Sequence, residues 1–240
     1  MAKRRLDALL ADRGLFESRS RAAASVLAGE VRIGSDGARA TKPGQMVTDD
    51  AELHLDERPR FVSRGGIKLA NAIRASGIDP AGRLCLDVGA STGGFTTALL
   101  EAGAVRVYAV DAGHGQLLGS LRQDPRVVNL EAVNVGELGT ALVPEPVKVV
   151  TVDVTYLRLC DAVAQLDRIV VAGADLVGLV KPMFELRRAT APGDRGSLDA
   201  ALAVAVAGVE AAGWRVRGTM DSPVTGRRGA AEMLLWARRE

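Results

Sequence analysis

Leu84-Cys-Leu-Asp-Val-Gly-Ala-Ser-Thr-Gly-Gly-Phe95 decides how the rest of the chain reads. Its opening residues are apolar up to Asp87, which predicts a short buried parallel strand. Gly89 through Gly94 are too small and too flexible for core, and Phe95 to Ala102 has a helical pattern. A strand, a small-residue turn and a helix bring a ligand against backbone N–H groups at a helix N-terminus. The expectation is a nucleotide-type cofactor site at the carboxyl end of a first strand, using Asp87, Gly89, Ser91, Thr92, Gly93 and Gly94. An ordinary tight turn between strand and helix is the alternative.

The spacing separates two kinds of cofactor. A dinucleotide fingerprint runs G-x-G-x-x-G/A, whereas this turn runs G-x-x-x-G-G behind an aspartate. A carboxylate at the strand end is unfavourable for a phosphate and favourable for a sulfonium or amino group. The second strand, Val105-Arg-Val-Tyr-Ala-Val-Asp111, ends in another carboxylate placed for ribose hydroxyls. Asn134, beyond a third strand at Val127 to Val133, completes the candidate cofactor set. Acid, glycines, acid resembles the S-adenosylmethionine site of class I methyltransferases.

The totals bound the architecture. A chain of 240 residues suits one large domain, or a medium one beside a small one, and 48% apolar content supplies an α/β core. With 3% aromatics, stacking of bases on many rings is disfavoured. The net charge of +2 is unevenly placed: residues 1–42 hold nine Lys/Arg against five Asp/Glu, Asp49 to Glu57 holds five acids, and Arg58 to Lys68 holds four bases and no acid. Such patches suit a polyanion or a merely solvated face. Cys85 and Cys160 are isolated in apolar surroundings and read as reduced thiols; with His54 and His114 they form no ligand cluster, so no metal is expected. There is no signal-peptide pattern and no apolar run of membrane length, which predicts no membrane partner and a cytoplasmic protein. Nothing in the sequence fixes an oligomeric state.

Residues 1–57 read as a small α+β unit. Leu6, Leu9, Leu10 and Leu15 share a helical face ending at Gly14, and Ser18-Arg-Ser-Arg21 opens a second helix that runs through Leu27 to Gly29. Val31-Arg-Ile33, a turn at Ser35-Asp-Gly37 and Glu52-Leu-His-Leu55 follow as a small sheet. Arg4, Arg19, Arg21 and Lys42 are candidate phosphate contacts. Helix, turn and hairpin in this order resemble the S4 RNA-binding module. Arg58-Pro-Arg-Phe-Val62 reads as a linker, and Ser63 opens a helix to about Ser76 that carries Arg64 and Lys68 one turn apart. Arg64 joins the candidate RNA contacts, with a solvent-facing basic pair as the bland alternative.

From there strands and helices alternate. A fourth strand is expected at Val147 to Asp153, a fifth at Leu176 to Lys181, a helix at Ser197 to Ala212, a sixth strand at Trp214 to Met220 and a seventh at Ala231 to Ala237. Alternation gives a doubly wound parallel sheet, and the last two strands are joined too closely for a crossover. The fold class is α/β, a mostly parallel seven-stranded sheet over 63–240 with one reversed strand.

Asp153 ends the fourth strand and Lys181 the fifth. A lysine after so apolar a strand is costly unless a carboxylate faces it. Glu232 is the next acid on the same edge, and Lys68 closes the group. Two lysines and two acids suit methyl transfer to a sugar hydroxyl, a poor nucleophile that must be oriented and relieved of its proton. Lysine accepts a proton when burial and a second cation favour its neutral form. The assignment is Lys181 as base, Asp153 and Glu232 as orienters, and Lys68 as second cation or phosphate clamp. A structural ion-pair network fits the same spacing.

Ser63-Arg-Gly-Gly-Ile-Lys-Leu, Leu86-Asp-Val-Gly-Ala-Ser-Thr-Gly-Gly-Phe-Thr, Ala109-Val-Asp-Ala-Gly-His-Gly-Gln-Leu and Val180-Lys-Pro-Met-Phe-Glu are similar to the TlyA family. That family joins an S4 module to an FtsJ-like 2′-O-methyltransferase. The resemblance implies a Lys-Asp-Lys-Glu tetrad at Lys68, Asp153, Lys181 and Glu232. It also implies S-adenosylmethionine as cofactor, cytidine 2′-hydroxyls of ribosomal RNA as acceptors, and sensitivity of the methylated ribosome to capreomycin and viomycin. Thr155-Tyr-Leu-Arg158, Met183, Ala230, Ala132 and Gly136 depart from the family's usual residues and bear on substrate choice. The short ends resemble the smaller subtype associated with large-subunit RNA alone.

Overall fold

The computed structural model describes residues 3–16, 18–27, 30–55, 61 and 63–240, with the side chains of Arg21, Ala24 and Arg227 outside the description. These residues fall into two compact units, one within Met1–Arg60 and one within Phe61–Glu240.

The first unit runs β1 (Lys3–Arg5), α1 (Leu6–Asp12), α2 (Arg19–Leu27), β2 (Val31–Ile33), β3 (Ala38–Arg39), β4 (Met46–Thr48) and β5 (Leu53–Leu55). Leu6, Leu9 and Leu10 recur at helical spacing and pack on Ala22, Val26 and Val31. Leu15 does not share that face. Gly14 turns the chain at a φ of +70° after α1 has ended, and Leu15 is left half-exposed. Two sheets form where the sequence suggested one: β1 pairs with β4, and β2 lies between β3 and β5. Three-residue strands such as Lys3–Arg5 carry too little alternation to be read. The helix stop expected at Gly29 lies outside the described residues.

The second unit runs α3 (Arg64–Ser76), β6 (Leu84–Val88), α4 (Gly94–Glu101), β7 (Arg106–Asp111), α5 (Gly119–Arg122), β8 (Val127–Glu131), β9 (Val147–Val152), α6 (Leu159–Val163), β10 (Val170–Val180), α7 (Pro182–Glu185), α8 (Arg195–Ala211), β11 (Trp214–Asp221) and β12 (Met233–Arg239). The sheet order is β11-β12-β10-β9-β6-β7-β8. The pairs among β6 to β10 are parallel, while β12 runs antiparallel to both neighbours. Alternate residues of β9 feed opposite faces. Val150 and Val152 meet Leu159, Ala201 and Ala205 of α6 and α8, and Val149 meets Leu69, Phe95 and Leu99 of α3 and α4. The sheet is therefore covered on both faces. The chain builds outward from β6 to β8, then returns to place β9 on the other side of β6. A crevice opens at the carboxyl ends where the order reverses.

Phe61 differs from its place in the expected linker. It is buried against α3, and a Cβ on Gly66 would fall 2.3 Å from its Cβ. The remaining linker positions, 58–60 and 62, lie outside the described residues. β10 begins six residues earlier than expected, because a register irregularity between Val170 and Asp175 and a positive φ at Gly173 hide its first half. β8 ends at Glu131 and β12 starts at Met233, so Asn134 and Glu232 both sit just outside strands.

Candidate functional site

A cleft of about 570 Å³ lies at the carboxyl ends of β6, β7, β9 and β10. Two glycines shape its floor. Gly89 takes a φ of +87°, and a Cβ there would stand 2.3 Å from the carbonyl oxygen of Asp153, so the turn after β6 presses directly on the end of β9. Gly93, at +97°, precedes α4, and its Cβ would overlap Leu121 at 2.0 Å. Gly89, Ser91, Thr92 and Gly94 line the cleft; Gly93 supports it from behind.

Asp87 does not line the cleft. It is fully buried, and its carboxylate accepts hydrogen bonds from the hydroxyls of Thr96 (2.7 Å) and Thr151 (2.9 Å). Burial pushes the carboxyl up to about 6, against the lowering effect of Thr96 and Thr151, and the charge of Asp153 adds to the rise. Thr96 lies in the first turn of α4, so the carboxylate fastens that turn to β6 through a side-chain hydroxyl. This corrects the sequence expectation that Asp87 meets the cofactor itself. The two strand-end acids carry the same letter, but Val88 separates Asp87 from the strand end, while Asp111 is the last residue of β7.

Asp111 does face the cleft. Its Oδ2 accepts from the Ser91 N–H (2.8 Å) and its Oδ1 from the Gly113 N–H (2.7 Å). A carboxylate has further lone pairs for a pair of ribose hydroxyls. Ser91 Oγ donates to Gln116 Oε1 (3.1 Å), which lays the Gln116 side chain over Gly113. Glu131, at the end of β8, accepts from the Leu117 N–H (3.0 Å) and from Asn129 (3.1 Å) and pairs with Arg122 (3.0 Å). The Leu117 N–H leads the contacts that hold the Glu131 carboxyl down at about 2. Gln116 lies within the Ala109–Leu117 motif but has no site role assigned from sequence, and Glu131 has none either. Asn134 is exposed and precedes a 3₁₀ turn, donating its N–H to Glu137 (3.3 Å); its neighbours Val133 and Val135 line the cleft in its place.

All four tetrad residues line this cleft. They form two ion pairs, Lys68 with Glu232 and Lys181 with Asp153. The side chains of the first pair are 8% exposed each, and those of the second 13% and 24%. Lys181 Nζ also donates to the Val154 carbonyl (3.0 Å). Asp153 Oδ1 is buried without a hydrogen-bond partner of good geometry, and Lys181 is its close cation among the described residues. Glycine backbone, a diol-ready carboxylate and further acids in one cleft fit a cofactor with ribose, amino and sulfonium groups. Among the described residues no group of three or more His, Cys, Asp and Glu could hold a metal, and no helix is long and apolar enough to cross a membrane.

The basic candidates divide. Arg64 lines the cleft and is exposed. Arg4 lies between Asp12 and Asp49, and Arg19 reaches Asp7 through Nε at 3.2 Å. Lys42 is exposed and has no ion pair among the described residues. The side chain of Arg21 lies outside the description.

A sheet of seven strands with β12 reversed, opening a cleft at its switch point, defines a Rossmann-like methyltransferase unit. The FtsJ-like methyltransferase model matches residues 61–239, and the S4 domain model matches residues 4–53. The chain is 43% identical to the 16S/23S rRNA (cytidine-2′-O)-methyltransferase TlyA of Mycobacterium tuberculosis, over 99% of this chain and 91% of that protein. It is 32% identical to the 23S rRNA (cytidine-2′-O)-methyltransferase TlyA of Campylobacter jejuni, over 80% of this chain and 76% of the other. A solved structure described as a "putative hemolysin" from Streptococcus thermophilus superposes with a TM-score of 0.73 at 36% identity, over 100% of this chain and 89% of that one. The chain belongs to the TlyA family of FtsJ-like methyltransferases.

Proposed function

We propose that this protein methylates the 2′-hydroxyl of cytidine in ribosomal RNA, using S-adenosylmethionine, in the cytoplasm. The observation that carries the reading is the pairing of Lys181 with Asp153 and Lys68 with Glu232 in one cleft beside Asp111 and the Gly89–Gly94 turn. When bound, the cofactor supplies an electrophilic methyl group on a sulfonium. Asp111 would hold its ribose, and the turn from Gly89 to Gly94 would bring small residues and backbone against it. Asp153 and the Val154 carbonyl aim Lys181 Nζ, which in its neutral amine form would take the proton of the ribose hydroxyl and so free that oxygen as nucleophile. Lys68, fixed by Glu232, supplies a second positive charge that orients the acceptor. Tyr156, half-exposed in the cleft, offers a ring face to a base turned out of its stack. The S4 module adds phosphate contacts that set register without reading sequence.

The test is transfer of labelled methyl to isolated large and small ribosomal subunits, with digestion of the product to 2′-O-methyl nucleosides. Label is expected in cytidine ribose, with Lys181→Ala lowering the rate about 10²–10⁴-fold while cofactor binding persists. Label that is indifferent to Lys181→Ala removes Lys181 as the base. Cofactor binding without label in either subunit would mean another acceptor.

A further inference from the structure

We propose that Glu185 is a positioning residue for this reaction: it fixes the far end of the cleft loop whose near end Lys181 holds. The inference rests on the methyltransferase reading above and assigns a role that reading does not use. Pro182 starts α7 directly after Lys181, and Glu185 ends it, so Lys181 and Glu185 stand about one helical turn apart. Both reach the segment that joins β9 to α6. Lys181 grips its beginning through Asp153 and the Val154 carbonyl (3.0 Å). Glu185 Oε1 grips its end, accepting from the Leu159 N–H at 2.8 Å. Between these two anchors lie Thr155 and Tyr156, which line the cleft.

The start of α6 needs such an acceptor. Its N-cap is Arg158, whose side chain makes no capping bond and pairs instead with Asp161 at 2.7 Å. An arginine has no acceptor to offer an orphan N–H. Glu185 supplies from another element what a local Ser or Asp supplies elsewhere. Leu159 is wedged from its other side as well, because a Cβ on Gly178 of β10 would come within 2.5 Å of its side chain.

Packing alone does not account for a glutamate here. Glu185 is 4% exposed, and its second oxygen, Oε2, is buried without a hydrogen-bond partner. Burial pushes its carboxyl up from the ordinary range. An apolar side chain of similar length would fill the space without a stranded oxygen. What it could not do is hold Leu159, and with it the loop that aims Asp153 at Lys181.

The experiment uses the full chain and whichever ribosomal RNA the wild type methylates. Glu185→Met keeps the volume and removes the acceptor; Glu185→Gln keeps an acceptor oxygen. Glu185→Met is expected to lower kcat about 10- to 100-fold, with cofactor Kd and RNA KM little changed and with faster hydrogen exchange at the Leu159 amide. Glu185→Gln is expected to restore both the rate and the protection. Wild-type kcat in Glu185→Met, or a Gln variant as impaired as the Met variant, overturns the proposal. So does unchanged exchange at Leu159. A wild type that methylates no RNA would instead sink the methyltransferase reading, and the exchange comparison would still decide whether Glu185 anchors the loop.

Discussion

Arg4 in the N-terminal unit and Lys68 in the cleft each meet carboxylates of their own unit, in opposite surroundings. Arg4 bridges Asp12 and Asp49 with 39% of its side chain exposed against 57% for each acid. Lys68 meets Glu232 with both side chains 8% exposed. In open water an ion pair gains little over hydration and exchanges readily for another partner, such as a phosphate. Out of water, the charges lose their hydration and depend on each other, so removing one strands the other. The two Arg4 pairs are thus exposed contacts that a phosphate can displace. The cleft pairs are held with little water around them, and hydrophobic burial alone would not select them.

The most severe way to break this contrast is Lys68→Ala. It should abolish methyl transfer and destabilise the fold by about 3–5 kcal/mol, because Glu232 is left buried without its cation. The double variant Lys68→Met with Glu232→Leu should recover much of the stability and none of the activity. Urea unfolding of the three proteins checks both. A Lys68→Ala variant as stable as Arg4→Ala would erase the distinction.

A milder test uses Asp87, a buried acid with hydroxyl partners and no cation. Its folded carboxyl stands at about 6, above the unfolded value, so the native state holds its proton more tightly. The stability this lends is complete below about pH 4 and is lost as pH rises through about 6. The loss is about 3 kcal/mol. Asp87→Asn should remove this slope, so its stability relative to wild type should increase between pH 4.5 and 7.5. A constant difference across that range would place the titration elsewhere.

The smallest expected effects lie in the N-terminal unit. Lys42→Ala should reduce the salt dependence of RNA binding by about one counterion. Arg4→Ala should reduce it less, since Asp12 and Asp49 already offset its charge. Equal slopes for the two variants would mean that RNA displaces those acids completely.

Much of this was legible in the sequence, for identifiable reasons. Buried strands announce themselves as apolar runs, so the β6–β9 core and the antiparallel close of the sheet could be read. Asp153 and Lys181 could be paired because both end neighbouring strands. Glu131, Gln116 and Glu185 were not assigned site roles. Glu131 and Glu185 bond backbone N–H groups of Leu117 and Leu159, and a backbone N–H has no letter of its own. Asp87 escapes the sequence for a related reason: the letters place an acid near the end of a strand, but not the two threonines, Thr96 and Thr151, that bond it. Phe61 was read by its neighbours Pro59 and Arg60 and not by the missing side chain of Gly66 on which it packs.

The Asp87 knot ties β6, the first turn of α4 and the strand that delivers Asp153 through one carboxyl group. A cradle so fastened is held by the protein's own bonds. Its ligand gains affinity without ordering the turn, and this part of the association carries little entropic penalty.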